Sequence, residues 1–132
     1  MRRMTLPLHR ILKAIAEPTR LRILNLLMEE PLCVCELEFL LCLSQPLLSR
    51  HLSYLRGTGL ALDKRMGTRV QYSMVSGDPV VDKLKTCLRG VLESEEVYRA
   101  DRERLEQWRR AASEKQNHSG QPASLTVQGA NL

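Results

Sequence analysis

Ser44-Gln45-Pro46-Leu47-Leu48-Ser49-Arg50-His51-Leu52-Ser53-Tyr54-Leu55 is the stretch that decides the fold. Ser44 is a good N-cap and Pro46 is tolerated in a first turn, so a helix begins here. Leu48, Leu52 and Leu55 recur at i, i+4 and i+7, which makes one inward apolar face. Gln45, Ser49 and Ser53 recur at i, i+4 and i+8 on the opposite face, with Arg50 beside them. His51 falls on the inner side next to Leu48, as a packed or phosphate-touching histidine rather than a base reader. Gly57 and Gly59 follow and stop the helix.

Upstream, residues 7 to 16 read as a first helix, with Leu8, Ile11, Leu12 and Ile15 on one face. Glu17-Pro18 breaks it, and Pro18 suits the first turn of a second helix carried by Leu21, Ile23, Leu24, Leu27 and Met28 to Glu29. Pro31 ends that one. A third helix runs from Cys33 or Cys35 to Leu43. Downstream, residues 60 to 65 and 69 to 74 are short strands around Met66-Gly67-Thr68. Asp78-Pro79 then opens a long helix to about Ala112, in which Leu84, Leu88, Val91, Tyr98 and Leu105 recur at heptad-like spacing, interrupted by Glu95 and Arg102. So small a domain does not bury such a stripe alone, and the long helix is expected to pair with a second copy. Residues 113–132, rich in Ser, Gln, Asn and Gly, are expected to be a disordered tail. The expectation is a mainly α chain with a small β-hairpin: a winged helix-turn-helix, dimeric through its terminal helices, with 1–112 as one DNA-binding and dimerisation domain.

The 132 residues carry a formal charge of +5. The charge is uneven: residues 44 to 72 hold Arg50, Arg56, Lys64, Arg65 and Arg69 against the single acid Asp63. A local basic surface suits a phosphate backbone. Aromatics are scarce, so the core is built from Leu, Ile, Val and Met. No apolar run is long enough to span a membrane, and Met1 to Pro7 lacks the apolar core of a secretory signal. The chain is therefore expected in the cytoplasm, away from membranes, where Cys33, Cys35, Cys42 and Cys87 stay reduced. No Gly-rich phosphate loop is visible, and Ser49 and His51, two apart on a helix, diverge. Catalysis is not expected.

The order helix, helix, short turn, helix, hairpin is that of a DNA reader, which inserts the N-terminal part of its recognition helix into the major groove. Gln bonds adenine bidentately, Arg bonds guanine, and Ser accepts many partners. The candidate contacts are Ser44, Gln45, Pro46, Ser49, Arg50 and Ser53 on the helix. Lys64, Arg65, Thr68 and Arg69 on the hairpin suit phosphate or minor-groove contact. Cys33-Val34-Cys35 lies just before this unit. Thiolates select soft ions, zinc, cadmium, copper(I) and the trivalent metalloids among them. A helix start favours the thiolate form. Side chains two apart on a helix point about 200° apart around its axis, so either Cys33 lies outside the helix or ion binding unwinds its first turn. Cys42 is expected in the core and Cys87 at an interface. A closed zinc site wants four ligands, and His9, His51 and His118 are scattered.

Glu17-Pro18-Thr19-Arg20-Leu21-Arg22-Ile23-Leu24, Leu32-Cys33-Val34-Cys35-Glu36-Leu37, Ser44-Gln45-Pro46 through Leu55, Gly59-Leu60 and Gly67-Thr68-Arg69-Val70-Gln71-Tyr72 together resemble the ArsR-type metalloregulatory repressors, over about residues 8 to 75. The resemblance implies a homodimer that sits on an inverted-repeat operator in double-stranded DNA. It holds no permanent cofactor and leaves the DNA when As(III) or Sb(III) binds Cys33 and Cys35. The arsenic-responsive branch, which pairs Leu-Cys-Val-Cys with Ser-Gln-Pro, is the most similar. That branch has a third cysteine where this chain has Glu38. A third ligand would then be an external thiol, a hydroxide or a cysteine from elsewhere. A repressor answering another soft ion such as cadmium or lead, or thiol oxidation, is the competing reading. A protein-interaction module without DNA is a third, against which the basic hairpin argues.

Overall fold

Leu48, Leu52 and Leu55 are fully buried, and the rest of the chain is arranged around them. The computed structural model describes residues 6–120. In chain order the elements are α1 (Leu8–Ile15), α2 (Pro18–Leu27), β1 (Leu32–Cys33), α3 (Val34–Leu41), α4 (Gln45–Thr58), β2 (Ala61–Met66), β3 (Arg69–Met74), α5 (Pro79–Leu92) and α6 (Glu96–Gly120). Aliphatic side chains fill the interior: Ile23, Leu24, Leu26, Leu37, Leu40 and Leu41 close over the α4 leucines in one continuous core.

Local chemistry sets each boundary. Glu17 caps α2 by accepting from the Arg20 N–H at 2.8 Å, and Pro18 stands at the first helical position. Arg20 turns back to close α1: its Nε donates to the Ala14 carbonyl at 2.8 Å, and its guanidinium lies 4.0 Å from the centre of the Tyr54 ring. Ser44 accepts from the Leu47 N–H and starts α4. Gly57 stays inside that helix, and Gly59 alone ends it. Gly59 has φ +89°, a left-handed conformation that favours glycine, while the nearest atom to a Cβ there is a flexible methyl of Leu6 at 2.9 Å. Asp78 caps α5 through the Val80 and Val81 N–H groups and also accepts from the Leu6 N–H at 2.9 Å, which fastens the start of α1 beside the start of α5.

The hairpin is the outer part of a three-stranded antiparallel sheet in the order β1-β3-β2. Met66 pairs with Arg69 across Gly67-Thr68, and Gly67 has φ +68°, the pattern of a II′ turn. β1 is a two-residue strand that the sequence does not reveal, because two residues have no period. It pairs Leu32 with Tyr72 and Cys33 with Gln71.

The single long helix expected from Asp78 to about Ala112 is two helices. Ser94 and Glu95 make tight backbone bonds to Val91 and Leu92, and the Ser94 hydroxyl donates to the Val91 carbonyl at 2.6 Å. A Ser side chain that competes for a backbone carbonyl ends α5 without a proline. α6 then runs past Ala112 to Gly120, so residues 113–120 of the expected disordered tail are helical. Ala111, Ala112, Glu114, Lys115 and Gln116 are all good helix formers, which accounts for the extension. The remainder of the expected tail, 121–132, lies outside the described residues.

The stripe on these helices also differs from a simple pairing seam. Tyr98 and Leu105 are buried against their own domain, whereas Val91 is 56% exposed. α6 is pinned there by Asp101, 1% exposed, whose carboxylate accepts from Arg22 Nε at 2.7 Å and Nη2 at 2.9 Å. Burial against α2 places Asp101 beside Arg22, and the bond to Asp101 pushes the Arg22 guanidinium further up. Arg22 Nη2 also donates to the Leu41 carbonyl, and Arg104 to the Leu40 carbonyl, so the open end of α3 is closed from α2 and α6. Buried Asn25 is satisfied within the same joint, donating to Tyr98 O and accepting from Arg102 Nε. On α1, Ile11 and Ala14 are buried while Leu8 and Leu12 face outward, so the apolar face expected there is divided between core and surface.

Candidate nucleic-acid interface and thiol site

Ser44, Gln45, Pro46, Arg50 and Ser53 are exposed and Ser49 is half-buried, all on the side of α4 away from its buried leucines. Gln45 Nε2 donates to Ser49 Oγ at 2.8 Å, which orders the amide without burying it. His51 is packed, its Nδ1 3.8 Å from Glu17 Oε1, consistent with its place on the inner side. Lys64, Arg65 and Thr68 are exposed on the projecting hairpin. Among the described residues Arg50, Lys64 and Arg65 have no acidic partner, whereas Arg56 is paired with Asp63 at 3.1 Å. The free cations thus border the polar face of α4 on one side and occupy the hairpin on the other.

Arg69 stands apart from that group. It opens β3, but its Nη2 lies 3.2 Å from Cys35 Sγ and 3.3 Å from Glu36 Oε2. Its charge and place in the sequence put it with the hairpin cations; the fold turns it toward the thiols. Glu36 is a member of the site that sequence reasoning misses. Its Oε1 accepts from the Cys33 N–H at 2.8 Å, and the Cys33 thiol faces the Glu36 N–H in return, a capping box with sulfur as the weak acceptor. The signal is there as an N-cap residue followed three positions later by Glu, with Cys in place of Ser or Thr.

The thiol pair is therefore placed as follows. Cys33 lies outside the helix, in β1 and at the N-cap of α3, with φ −83° and ψ 161°. Cys35 lies in the first turn. Cys33 is buried and Cys35 exposed, so one sulfur faces the core and the other solvent. Burial pushes the Cys33 thiol up from its ordinary value, the Glu36 charge adds to that, and Arg69 works in the opposite direction. The position at a helix start, expected to favour the thiolate, is outweighed for Cys33 by desolvation. Among the described residues no group of three or more His, Cys, Asp or Glu side chains is arranged to hold a metal ion.

Cys42 is not in the core. α3 ends at Leu41, and Cys42 takes the left-handed C-cap conformation with φ 56°, which turns its side chain to solvent. Cys87 is exposed on α5. None of the described helices is long and apolar enough to cross a membrane.

Three comparisons bear on this arrangement. Residues 17–61 match the model of the family described as bacterial regulatory protein, arsR family. The arsenic resistance transcriptional regulator ArsR1 of Pseudomonas putida is 41% identical over 90 residues, covering 67% of this chain and 68% of that protein. The arsenical resistance operon repressor of Escherichia coli is 41% identical over 83 residues, or 58% and 71% of the two chains. Among solved structures, HlyU from Vibrio cholerae superposes with a TM-score of 0.58 at 36% identity, covering 62% of this chain and 87% of that one.

Proposed function

Because the chain belongs to the arsR family of bacterial regulatory proteins, we propose that it is a homodimeric repressor that leaves its operator when trivalent arsenic or antimony binds Cys33 and Cys35. Its class follows from the family and the fold: it is a DNA-binding transcription regulator with a winged helix-turn-helix and not an enzyme. The inducer, the site and the dimer are what is proposed.

The observation that carries it is the position of the thiols. Cys33 is paired into the sheet of the hairpin, and Cys35 is one short helix ahead of α4. A soft ion that draws the two sulfurs together must bring Cys33 outward, which breaks the capping box and disturbs the ladder to Gln71. Arsenous acid reacts without a redox step: each thiol proton leaves with an arsenic-bound hydroxide as water, two sulfur–arsenic bonds form, and a third oxygen or an external thiol completes the ion. Glu38 supplies only a hard carboxylate where the arsenic-responsive branch has its third cysteine. Gln45, Ser49, Arg50 and Ser53 would read bases, with Ser44 and Pro46 at the groove edge and Lys64, Arg65 and Thr68 on phosphate. Leu8 and Leu12 on α1 and Val91 on α5 are apolar side chains left uncovered, and the Leu6–Asp78 bond joins the starts of the two helices; this supports pairing through the terminal helices.

The test is the affinity for DNA from the chain's own promoter, measured by fluorescence anisotropy with and without arsenite. Release by arsenite and antimonite is expected. Release by cadmium alone, or only by a thiol oxidant, would replace this reading with the corresponding alternative.

A further inference from the structure

We propose that Arg69 is the coupling residue of the switch, a clamp that holds the hairpin against the first turn of α3 and opens when an ion takes Cys35. The proposal rests on the thiol-pair reading above.

Two links join the hairpin to the thiols. The first is the backbone ladder between Cys33 and Gln71. The second is Arg69, whose Nη2 reaches Cys35 Sγ at 3.2 Å and Glu36 Oε2 at 3.3 Å from the first residue of β3, next to the hairpin tip. Glu36 in turn holds the Cys33 N–H at 2.8 Å, so one guanidinium touches the Cys35 thiol directly and the backbone of Cys33 through a single carboxylate. Arginine suits this role because Nη2, at the end of a long side chain, carries two N–H donors for the two acceptors, and the guanidinium cannot lose its charge. In the ion-free protein the clamp fixes the angle of the hairpin, and with it Lys64 and Arg65. When arsenic bonds to Cys35 Sγ, a sulfur lone pair that accepted from Arg69 is committed to the ion. Cys33 moves outward to join it and leaves its place above the Glu36 N–H. Arg69 loses both acceptors in the positions it needs. Of the two links to the thiols only the ladder then remains; the base of the hairpin stays packed through Ala61, Tyr72 and Met74, while its tip is freed and its cations no longer meet the phosphates in register.

The test separates this from an ordinary phosphate contact. Arg69→Lys keeps the charge but removes the guanidinium Nη2 that reaches both acceptors, and Glu36→Gln removes the acid from the clamp without touching the hairpin. Operator affinity is measured with and without arsenite, and the quantity read is the ratio of the two, whatever happens to the basal value. Arsenite binding to the protein is followed in parallel by absorbance of the sulfur–arsenic bonds. Wild type is expected to show a ratio of roughly 5–150-fold. Both variants should bind arsenite at the same stoichiometry while the ratio falls several-fold. Amide hydrogen exchange across residues 64–71 of ion-free protein should speed up in Arg69→Lys toward the rate of arsenite-loaded wild type. An undiminished ratio in both variants, or unchanged exchange in Arg69→Lys, overturns the clamp. Wild-type protein that binds no arsenite overturns the metalloid reading instead, and the hydrogen exchange then still decides whether the clamp exists.

Discussion

At the scale of single residues, the soft site proposed for Cys33 and Cys35 would join a buried sulfur to an exposed one. Cys33→Ser and Cys35→Ser are each expected to keep operator binding and lose release by arsenite, because neither side chain lies on the polar face of α4; normal release from both would remove the thiol pair from the switch. The raised Cys33 thiol also has a sign in stability. Its folded value lies above its unfolded one, so the contribution is complete below the ordinary thiol range and is lost as pH rises through the folded value. Urea midpoints should fall above that range in wild type and fall less in Cys33→Ser. Arg50, exposed beside Gln45 and Ser49 and without an acidic partner among the described residues, should behave as a reader. Arg50→Ala is expected to weaken specific binding by about 1–3 kcal/mol and leave thermal unfolding unchanged. Glu38→Cys, one turn from Cys35, should lower the arsenite concentration needed for release in titrations without added thiols, since residues three apart on a helix are neighbours.

At the scale of elements, what is legible in the sequence is what is local. α4 can be read from Ser44 to Gly59 because cap, leucine spacing and stop all lie within its own residues. The hairpin is equally plain, since Gly67 marks the turn between two short runs able to form strands. The failures are contacts made across the chain. β1 exists because β3 offers it a partner, and nothing in Leu32-Cys33 foretells that. The fate of Leu8 and Leu12 depends on where α2 and α4 lie, so helical period alone puts them on the same face as Ile11. The break at Ser94 hinges on one hydroxyl choosing a carbonyl. Arg69 looks like its hairpin neighbours in charge and exposure, and only the sheet order brings it to Cys35. Within the hairpin itself, Lys64→Ala should weaken operator and unrelated DNA alike and reduce the salt slope of binding by about one; a selective loss on the operator would instead make Lys64 a base reader.

At the scale of the whole molecule, the C-terminal helix belongs to the domain it follows. The ion pair of Arg22 with Asp101 spans 79 positions, and Leu105 is buried at the same joint. Removing one partner of a buried pair strands the other charge, so Asp101→Ala should destabilise the fold by roughly 3–5 kcal/mol in urea denaturation, far more than an exposed acid such as Glu106→Ala. The outward apolar face is a separate matter: Leu12→Asp with Val91→Asp should leave the domain folded and shift it to monomer in equilibrium sedimentation, with weakened operator binding; an unaltered mass would exclude those helices from the interface. The long separation of Arg22 from Asp101 reaches back to synthesis. A ribosome completes α4 and the hairpin while Asp101 is still unmade, and in that interval Arg22 has no carboxylate and the ends of α2 and α3 face water. Local contacts form early and distant ones late. A nascent chain arrested before α6 should therefore be cut quickly by protease and bind its operator poorly, although every residue proposed to read bases is already present. Repression would begin only once α6 has cleared the exit tunnel, which would make the time from recognition helix to Asp101 a built-in delay in the protein's own production.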